Sequence, residues 1–229
     1  PYTQHTDTHT PFFFLRPIYE TMTSVVAGAC LIVSVFVASG VTSHALRKFD
    51  YRTVSPEWQP ERPAFGIWSL IFGASLAVGL RTMVVTPERN EIVACVAQSL
   101  TYVLCAYWGV AFSQRRFWRA CAVLLAAFAL STGTLLGTRY GPLTEVSLGL
   151  LAGWLGVASS LGCAIAIGTP ETRWILVVAG ALLSTCTAVY GRLVLILPLL
   201  WALALTPSSW HVHVSACMAV GAGVVAIFA

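Results

Sequence analysis

Residues 56–72 read PEWQPERPAFGIWSLIF and join a proline-rich polar segment to an apolar run. The prolines stiffen the polar half, because proline fixes φ and has no backbone N–H to donate. Pro63 stands where the first turn of a helix tolerates proline, which places the start of a helix there. On that helix Phe65, Trp68 and Phe72 are three and four residues apart and so share one face. The stretch therefore predicts a surface loop that leads into a membrane-spanning helix with an aromatic face.

The composition is that of a membrane protein. Of the 229 residues, 57% are hydrophobic and 10% are charged, and the mean hydropathy is +0.79. Soluble domains carry about 25% charged residues, and a soluble chain of this size could not cover so much apolar surface with polar groups. The net charge of +4 is spread over short clusters between apolar runs. This pattern indicates membrane topology rather than a nucleic-acid-binding surface.

Eight apolar runs are candidates for membrane-spanning helices, each of which needs about 20 residues. They cover approximately residues 21–45, 63–85, 92–112, 117–138, 143–167, 174–190, 193–206 and 211–229. The sixth and seventh runs are short and meet at a tight connection, so they are either two tilted spans or a re-entrant hairpin. The sequence predicts an all-α polytopic integral membrane bundle with five long helices and about three more towards the C-terminus.

Lysine and arginine are divided unequally between the two sides of the membrane if all eight runs cross it. Eight of these residues fall on the side of the first and third loops, and five fall on the other side. Positive residues accumulate on the side from which a membrane protein is inserted. The first and third loops are therefore expected to face the cytoplasm, the matrix or the stroma.

Polar side chains within the apolar runs are few, and they form no enzyme motif. Gln98 is the most interior of them and is expected to hydrogen-bond between helices or to contact a ligand, whereas Asn90 is expected to cap the third helix. His44 lies near the end of the first run, where an interfacial role is favoured over a ligand contact. His211 and His213 are two residues apart and would point to opposite faces of a helix, which argues against a metal site. The sequence predicts a protein that is not an enzyme.

Small residues indicate close helix packing. Gly149 and Gly153 form a GxxxG pattern in the fifth run, which allows helix backbones to approach within lipid. This contact can lie within the chain, which is favoured, or between two copies. The seven cysteines all fall in apolar runs, form no CxxC pair and are expected to act as small buried apolar side chains.

Tryptophan is unusually frequent, with eight copies in the chain. Trp68, Trp108 and Trp154 lie well inside apolar runs rather than at their ends. Each can either pack within the bundle or form the wall of an apolar pocket for a flat ligand. Periodicity alone favours packing.

The stretch quoted above resembles the first loop and second helix of the TspO family, the tryptophan-rich sensory or translocator proteins. That family has a proline-rich loop, then Phe, then Trp three residues later, then a Leu-Tyr pair. In this chain the corresponding residues are Pro60, Phe65, Trp68 and Ile71–Phe72.

The third and fifth helices of the family are matched in the same order. The pattern Asn-x-x-Trp-x-x-x-Phe corresponds here to Cys105, Trp108 and Phe112. The pattern Trp-x-x-x-Ala, followed by Leu-Asn, corresponds to Trp154, Ala158 and Leu161–Gly162. The resemblance thus covers about residues 21–169.

The resemblance implies a five-helix core at residues 21–169, between a polar and aromatic N-terminal segment at 1–20 and a C-terminal helical extension at 170–229. It also implies binding or translocation of a flat apolar ligand, which would be a porphyrin, haem or a sterol-like lipid. With Gln98 added as the most interior polar group, the expected ligand-binding residues are Trp58, Phe65, Trp68, Phe72, Gln98, Cys105, Trp108 and Trp154.

Three departures from the family pattern affect this expectation. Cys105 and Gly162 replace the two asparagines, and Phe72 lacks the tyrosine hydroxyl. These changes keep apolar walls but remove hydrogen-bonding groups that orient a ligand. The alternative function is that of a non-catalytic accessory subunit of a large respiratory or photosynthetic membrane complex, with chlorophyll as a variant ligand. The expected partners are membrane lipids and either a second copy or a larger membrane complex, without nucleic acid. A mitochondrial or plastid membrane is favoured over a bacterial plasma membrane.

Overall fold

The structure is a computed structural model that describes residues 15–47, 59, 62–85, 87–168 and 193–205. These residues form helices and turns and contain no strand. The helices are α1 (Leu15–Leu46), α2 (Ile67–Val84), α3 (Arg89–Ser113), α4 (Phe117–Gly137), α5 (Pro142–Ile167) and the short α6 (Leu197–Ala204). Single 3-10 turns at Arg62–Gly66 and Leu193–Leu195 precede α2 and α6. Five of these helices are long and apolar enough to cross a membrane, which confirms the predicted helical membrane bundle.

The five long helices form a closed ring. α1 packs against α2 and α3, α4 packs against α3 and α5, and α2 meets α5 to complete the circuit. At the α1–α2 crossing, a side chain carbon added to Gly28 would lie 2.5 Å from the carbonyl oxygen of Gly79. At the α1–α3 crossing, one added to Gly109 would lie 3.1 Å from the Cα of Thr42. The lack of side chains at these glycines lets the helix backbones touch, as is typical of bundles in lipid.

The first helix begins before the apolar run that was predicted to form it. Leu15 is its first residue, although the run begins at about residue 21. Pro17 does not interrupt the helix, because the first backbone N–H groups of a helix have no partner within it. The 32 residues of α1 rise about 48 Å, which is more than the hydrocarbon thickness of about 30 Å.

Asn90 was predicted to cap α3, and its Oδ1 accepts a hydrogen bond from the backbone N–H of Glu91 in the first turn, at 2.9 Å. The cap position itself is held by Glu88, so Asn90 lies inside the first turn. Its amide nitrogen also donates to the carbonyl oxygen of Arg139, at 2.7 Å. Asn90 therefore joins the start of α3 to the α4–α5 connection.

The ends of α5 follow from its sequence. Pro142 stands in the first turn, and the acidic Glu145 follows at the end of the helix where the macrodipole favours a negative charge. One carboxylate oxygen of Glu145 also accepts a hydrogen bond from the backbone N–H of Tyr140, at 3.2 Å. At the other end Gly168 adopts a left-handed conformation with φ 69°, which glycine reaches without strain.

The prediction of a single helix over residues 193–206 is wrong. This segment is a 3-10 turn followed by α6, whose eight residues rise only about 12 Å and cannot cross the hydrocarbon layer alone. Pro198 is the second residue of α6. It therefore opens a short helix, where its missing N–H has no cost, rather than interrupting a longer one. The runs predicted at 174–190 and 211–229, and the choice between two spans and a hairpin, lie outside the described residues.

The GxxxG pattern of α5 receives this C-terminal segment, which confirms packing within the chain. A side chain carbon added to Gly149 would lie 2.7 Å from the Cβ of Val194. One added to Gly153 would overlap the carbonyl oxygen of Leu195 and lie 3.0 Å from the ring of Pro198. Residues 194–198 thus occupy a groove that exists because both positions lack a side chain.

Candidate functional site

Five aromatic rings from α2, α3, α5 and the turn before α2 form one connected group, called here the aromatic cluster. Phe65 and Trp68 both meet Trp154 edge to face, with ring centroids 5.7 and 6.3 Å apart. Trp68 also stacks on Phe72 at 5.2 Å, and Phe72 reaches Tyr102 at 5.8 Å. These distances and angles are the favourable ones for aromatic pairs. The structure therefore brings together four of the predicted ligand-binding residues.

Trp154 lies at the centre of this cluster. Its side chain is 2% exposed, and its indole Nε1 is buried with no acceptor among the described residues. A buried donor without a partner costs about 1–3 kcal/mol. The cluster thus contains a buried hydrogen-bond donor without an acceptor in the described part of the chain.

Trp108 lies apart from the aromatic cluster but has the same unused donor. It packs at 5.7 Å on Phe112, which in turn meets Phe117 at 5.3 Å. Its Nε1 is buried and has no hydrogen-bond partner within the described part of the chain. Trp108 also packs against the main core that contains Trp154. Two indole N–H groups are therefore buried without an acceptor among the described residues.

Cys105 lies one turn before Trp108, on the side of α3 that faces α1. It is 4% exposed, and its carbonyl oxygen accepts a long hydrogen bond of 3.5 Å from the hydroxyl of Thr42. Cys105 is therefore a small core residue at the α1–α3 contact.

Gln98 belongs to a group of buried polar side chains next to the aromatic rings, called here the polar cluster: Ser75, Gln98, Tyr102 and Ser147. Ser75 and Ser147 donate to Gln98 Oε1 at 3.2 and 2.8 Å. The hydroxyl of Tyr102 lies 2.7 Å from Ser75 Oγ, and either hydroxyl can be the donor. These bonds link α2, α3 and α5, which confirms the expected hydrogen bonding of Gln98 between helices. Its Nε2 is buried and has no partner in the described residues.

Sequence reasoning missed three members of the polar cluster. Serine and tyrosine inside an apolar run are weak signals, because a serine can bond to its own helix and a tyrosine can pack as an aromatic ring. The spacing of Tyr102 could have predicted its place in the cluster. It stands four residues after Gln98 and therefore lies above it on the same helix face.

The TspO/MBR family model matches residues 23–167, well over half of the chain. The chain belongs to the TspO/MBR family. No curated protein and no solved structure gives a significant match. The matched region runs from α1 to the end of α5, so the five-helix ring is the family's part of this integral membrane protein.

The departures from the TspO pattern have visible consequences. Phe72 contacts Tyr102, but the Tyr102 hydroxyl is committed to Ser75, so it does not replace the hydroxyl that Phe72 lacks. At Gly162 an added side chain carbon would lie 3.2 Å from Leu124 Cδ1. The absence of the family's asparagine at this position lets α5 lie close to α4.

The C-terminal segment that follows the TspO core also reaches the aromatic cluster. Trp201 of α6 donates from its Nε1 to the carbonyl oxygen of Ala64, at 2.9 Å. Ala64 is fully buried and directly precedes Phe65. Residues outside the family's matched region thus hold the turn that positions the first ring of the cluster, and no feature of the sequence predicted this contact.

The remaining residues considered in the sequence analysis are not found among the described residues of the aromatic or polar cluster. His44 is exposed in the last turn of α1. Trp58, His211 and His213 fall outside the described residues. Within the described ranges, no group of three or more His, Cys, Asp or Glu side chains is placed to hold a metal ion.

Proposed function

We propose that this TspO/MBR protein binds, and by binding helps to move, a flat apolar ligand of the tetrapyrrole or sterol-like lipid class. Two buried indole N–H groups without acceptors, on Trp108 and Trp154, carry the proposal. Family membership supports a role in binding or transport. The role is one of recognition rather than catalysis.

The chemistry of the site favours such a ligand. The aromatic cluster offers ring faces and edges that bury a flat apolar molecule. The two indole groups can each donate to an oxygen of that molecule, which is a carboxylate of a tetrapyrrole or the hydroxyl of a sterol. With Cys105, Gly162 and Phe72 in place of the family's polar residues, few other groups orient the ligand. Selectivity among flat ligands is therefore expected to be broad.

The proposed binding residues follow from this arrangement. Phe65, Trp68, Phe72 and Trp154 supply ring contacts, and Trp108 supplies a donor. Cys105, Gln98 and, from the preceding loop, Trp58 complete the proposed set.

Porphyrin titration of the purified protein in lipid nanodiscs tests the proposal, with tryptophan fluorescence as the signal. The unmutated protein is expected to show saturable quenching. The substitution Trp154→Phe keeps an aromatic ring but removes the donor, and is expected to weaken binding by about tenfold, since one hydrogen bond to a ligand is worth about 1–1.5 kcal/mol.

The matched control is Trp118→Phe, because Trp118 is 67% exposed at the start of α4. Its affinity should equal that of the unmutated protein. Quenching that does not saturate in the unmutated protein would contradict the proposal. So would an affinity in Trp154→Phe and Trp68→Ala that equals the affinity of the unmutated protein.

A second candidate is an accessory subunit of a respiratory or photosynthetic complex. One observation favours it: the rings of the aromatic cluster contact one another directly, at 5.2–6.3 Å, and so fill part of the interior themselves. Such a subunit would sit in a mitochondrial or plastid membrane. Purification in mild detergent from fractionated organelles, followed by mass spectrometry and absorption spectra, distinguishes the two. Co-purifying subunits with haem or chlorophyll support this candidate, and a lone monomer or dimer contradicts it.

A further inference from the structure

Two cysteine side chains meet at the contact between α4 and α5. The Sγ atoms of Cys121 and Cys163 lie 3.0 Å apart. Cys121 is 4% exposed, whereas Cys163 is half-buried. The sequence had suggested only isolated apolar cysteines, because 42 residues separate the two.

We infer that Cys121 and Cys163 form a dithiol modification site, which an anionic small-molecule disulfide such as oxidised glutathione converts reversibly into a cross-link between α4 and α5. The inference stands apart from the proposed ligand binding, because neither cysteine belongs to the aromatic or polar cluster.

The backbones of α4 and α5 come close together beside the two thiols. A side chain carbon added to Gly162 would lie 3.9 Å from the Cα of Cys121, so the helices nearly touch beside the two thiols. A disulfide requires Cα atoms about 4.4–6.8 Å apart, and thus a close backbone approach. Gly162, which stands where the family has asparagine, permits that approach.

The thiols lie near the membrane surface. Cys121 is four residues from the first residue of α4, and Cys163 is four residues from the last residue of α5. Four residues of helix rise about 6 Å, which is comparable to the depth of the headgroup layer. The half-buried Cys163 is therefore the thiol that a water-soluble reagent meets first.

Positive charge lies at the end of α4 that carries Cys121. Arg115, Arg116 and Arg119 are exposed at and just before the start of that helix. They attract an anionic reagent to this end of the bundle. A neutral oxidant would not be attracted by these arginines.

The reaction is two successive thiol–disulfide exchanges. The Cys163 thiolate attacks one sulfur of oxidised glutathione, which breaks the S–S bond and releases one glutathione thiolate. The Cys121 thiolate then attacks the Cys163 sulfur and displaces the second glutathione. The two thiol protons end on the two glutathione molecules. The protein dithiol is oxidised, and oxidised glutathione is reduced to the same extent.

Peptide mapping of the full chain in nanodiscs tests the inference. The protein is exposed to oxidised glutathione, free thiols are blocked with N-ethylmaleimide, and the unreduced digest is analysed by mass spectrometry. A peptide that joins Cys121 to Cys163 and disappears with dithiothreitol is expected. In Cys121→Ser the joined peptide should be lost, and Cys163 should accumulate as the mixed disulfide with glutathione.

The control is Cys95→Ser, because Cys95 is buried on α3 and its Sγ contacts the hydroxyl of Thr82 at 3.3 Å. This variant should retain the joined peptide in full. The inference is overturned if the unmutated chain yields Cys163 only as the glutathione adduct or the blocked thiol. It is equally overturned if cross-links to other cysteines form in the same yield. Neither result affects porphyrin binding, so the two proposals fail separately.

Discussion

The two halves of α2 use hydrogen bonds in opposite ways. The first half, with Trp68 and Phe72, faces aromatic rings and the unpaired donor of Trp154. The second half begins at Ser75, whose hydroxyl contacts three polar side chains, and ends near the Arg81–Glu91 ion pair of 2.8 Å. A hydrogen bond in lipid stabilises only if both partners are in place. The second half therefore holds helices together, whereas the first half packs beside a buried donor of α5 that has no partner among the described residues.

The largest effect is expected from Trp154→Ala, which breaks the aromatic side of this comparison. Removing a fully buried tryptophan costs about 3–5 kcal/mol, because the cavity is not refilled. Thermal unfolding in detergent should shift strongly, and porphyrin quenching should be lost. The exposed Trp118 offers the control Trp118→Ala, which should unfold like the unmutated protein. Equal unfolding of the two variants would show that the cluster does not support the fold.

A smaller effect on stability, with a small loss of ligand affinity, is expected from Gln98→Leu. The change removes the acceptor of two serine hydroxyls, at a cost of about 1–2 kcal/mol in lipid. Unfolding should therefore occur at a lower temperature, and porphyrin affinity should fall less than in Trp154→Phe, because Gln98 lies beside the aromatic cluster rather than within it. A loss of affinity as large as that of Trp154→Phe would show that the two halves form a single binding site.

The matched control for this change is Thr101→Val on the same helix. Thr101 is also fully buried, but its hydroxyl bonds to the carbonyl oxygen of Ala97 in its own helix. Its removal should hardly alter unfolding. If both variants unfold alike, the bonds between helices contribute no more than a bond within one helix.

The smallest effect is expected from Trp201→Phe. This variant keeps an aromatic ring at position 201 but loses the hydrogen bond to Ala64, which is worth about 0.5–1.5 kcal/mol. Hydrogen exchange of residues 193–205 should become faster, while exchange in α3 and α4 should not change. Unaltered exchange in the C-terminal segment would mean that the α5 groove alone holds it.

The five long helices were predictable because lipid demands long apolar runs, and such runs are visible in any sequence. The order in which they contact one another was not predicted. The face that carries Phe65, Trp68 and Phe72 was predictable for a similar reason, since helical spacing determines which side chains are neighbours. The meeting of Trp154 with Trp68 required the family resemblance, because no periodicity relates two separate helices. The placement of these residues in a ligand site stays a prediction.

Contacts between distant segments were the part that sequence reasoning did not reach. Cys121 and Cys163 each look like an ordinary small core residue, and only the crossing of α4 and α5 places their sulfur atoms together. Asn90 is a residue type that caps helices, but its bond to the carbonyl oxygen of Arg139 could not be predicted from its position at the start of α3. In both cases the deciding neighbour is far away in the chain.

The groove at Gly149 and Gly153 also has a consequence for the order in which the chain is made. The ribosome produces α5 before the segment that fills its groove, and roughly 45 residues lie between Gly153 and Pro198, which is several seconds of synthesis at about 5–20 residues per second. During that interval residues 194–198, which fill the groove in the finished fold, are not yet made. The groove of the TspO core is therefore closed only by a part of the chain that is synthesised after the core itself.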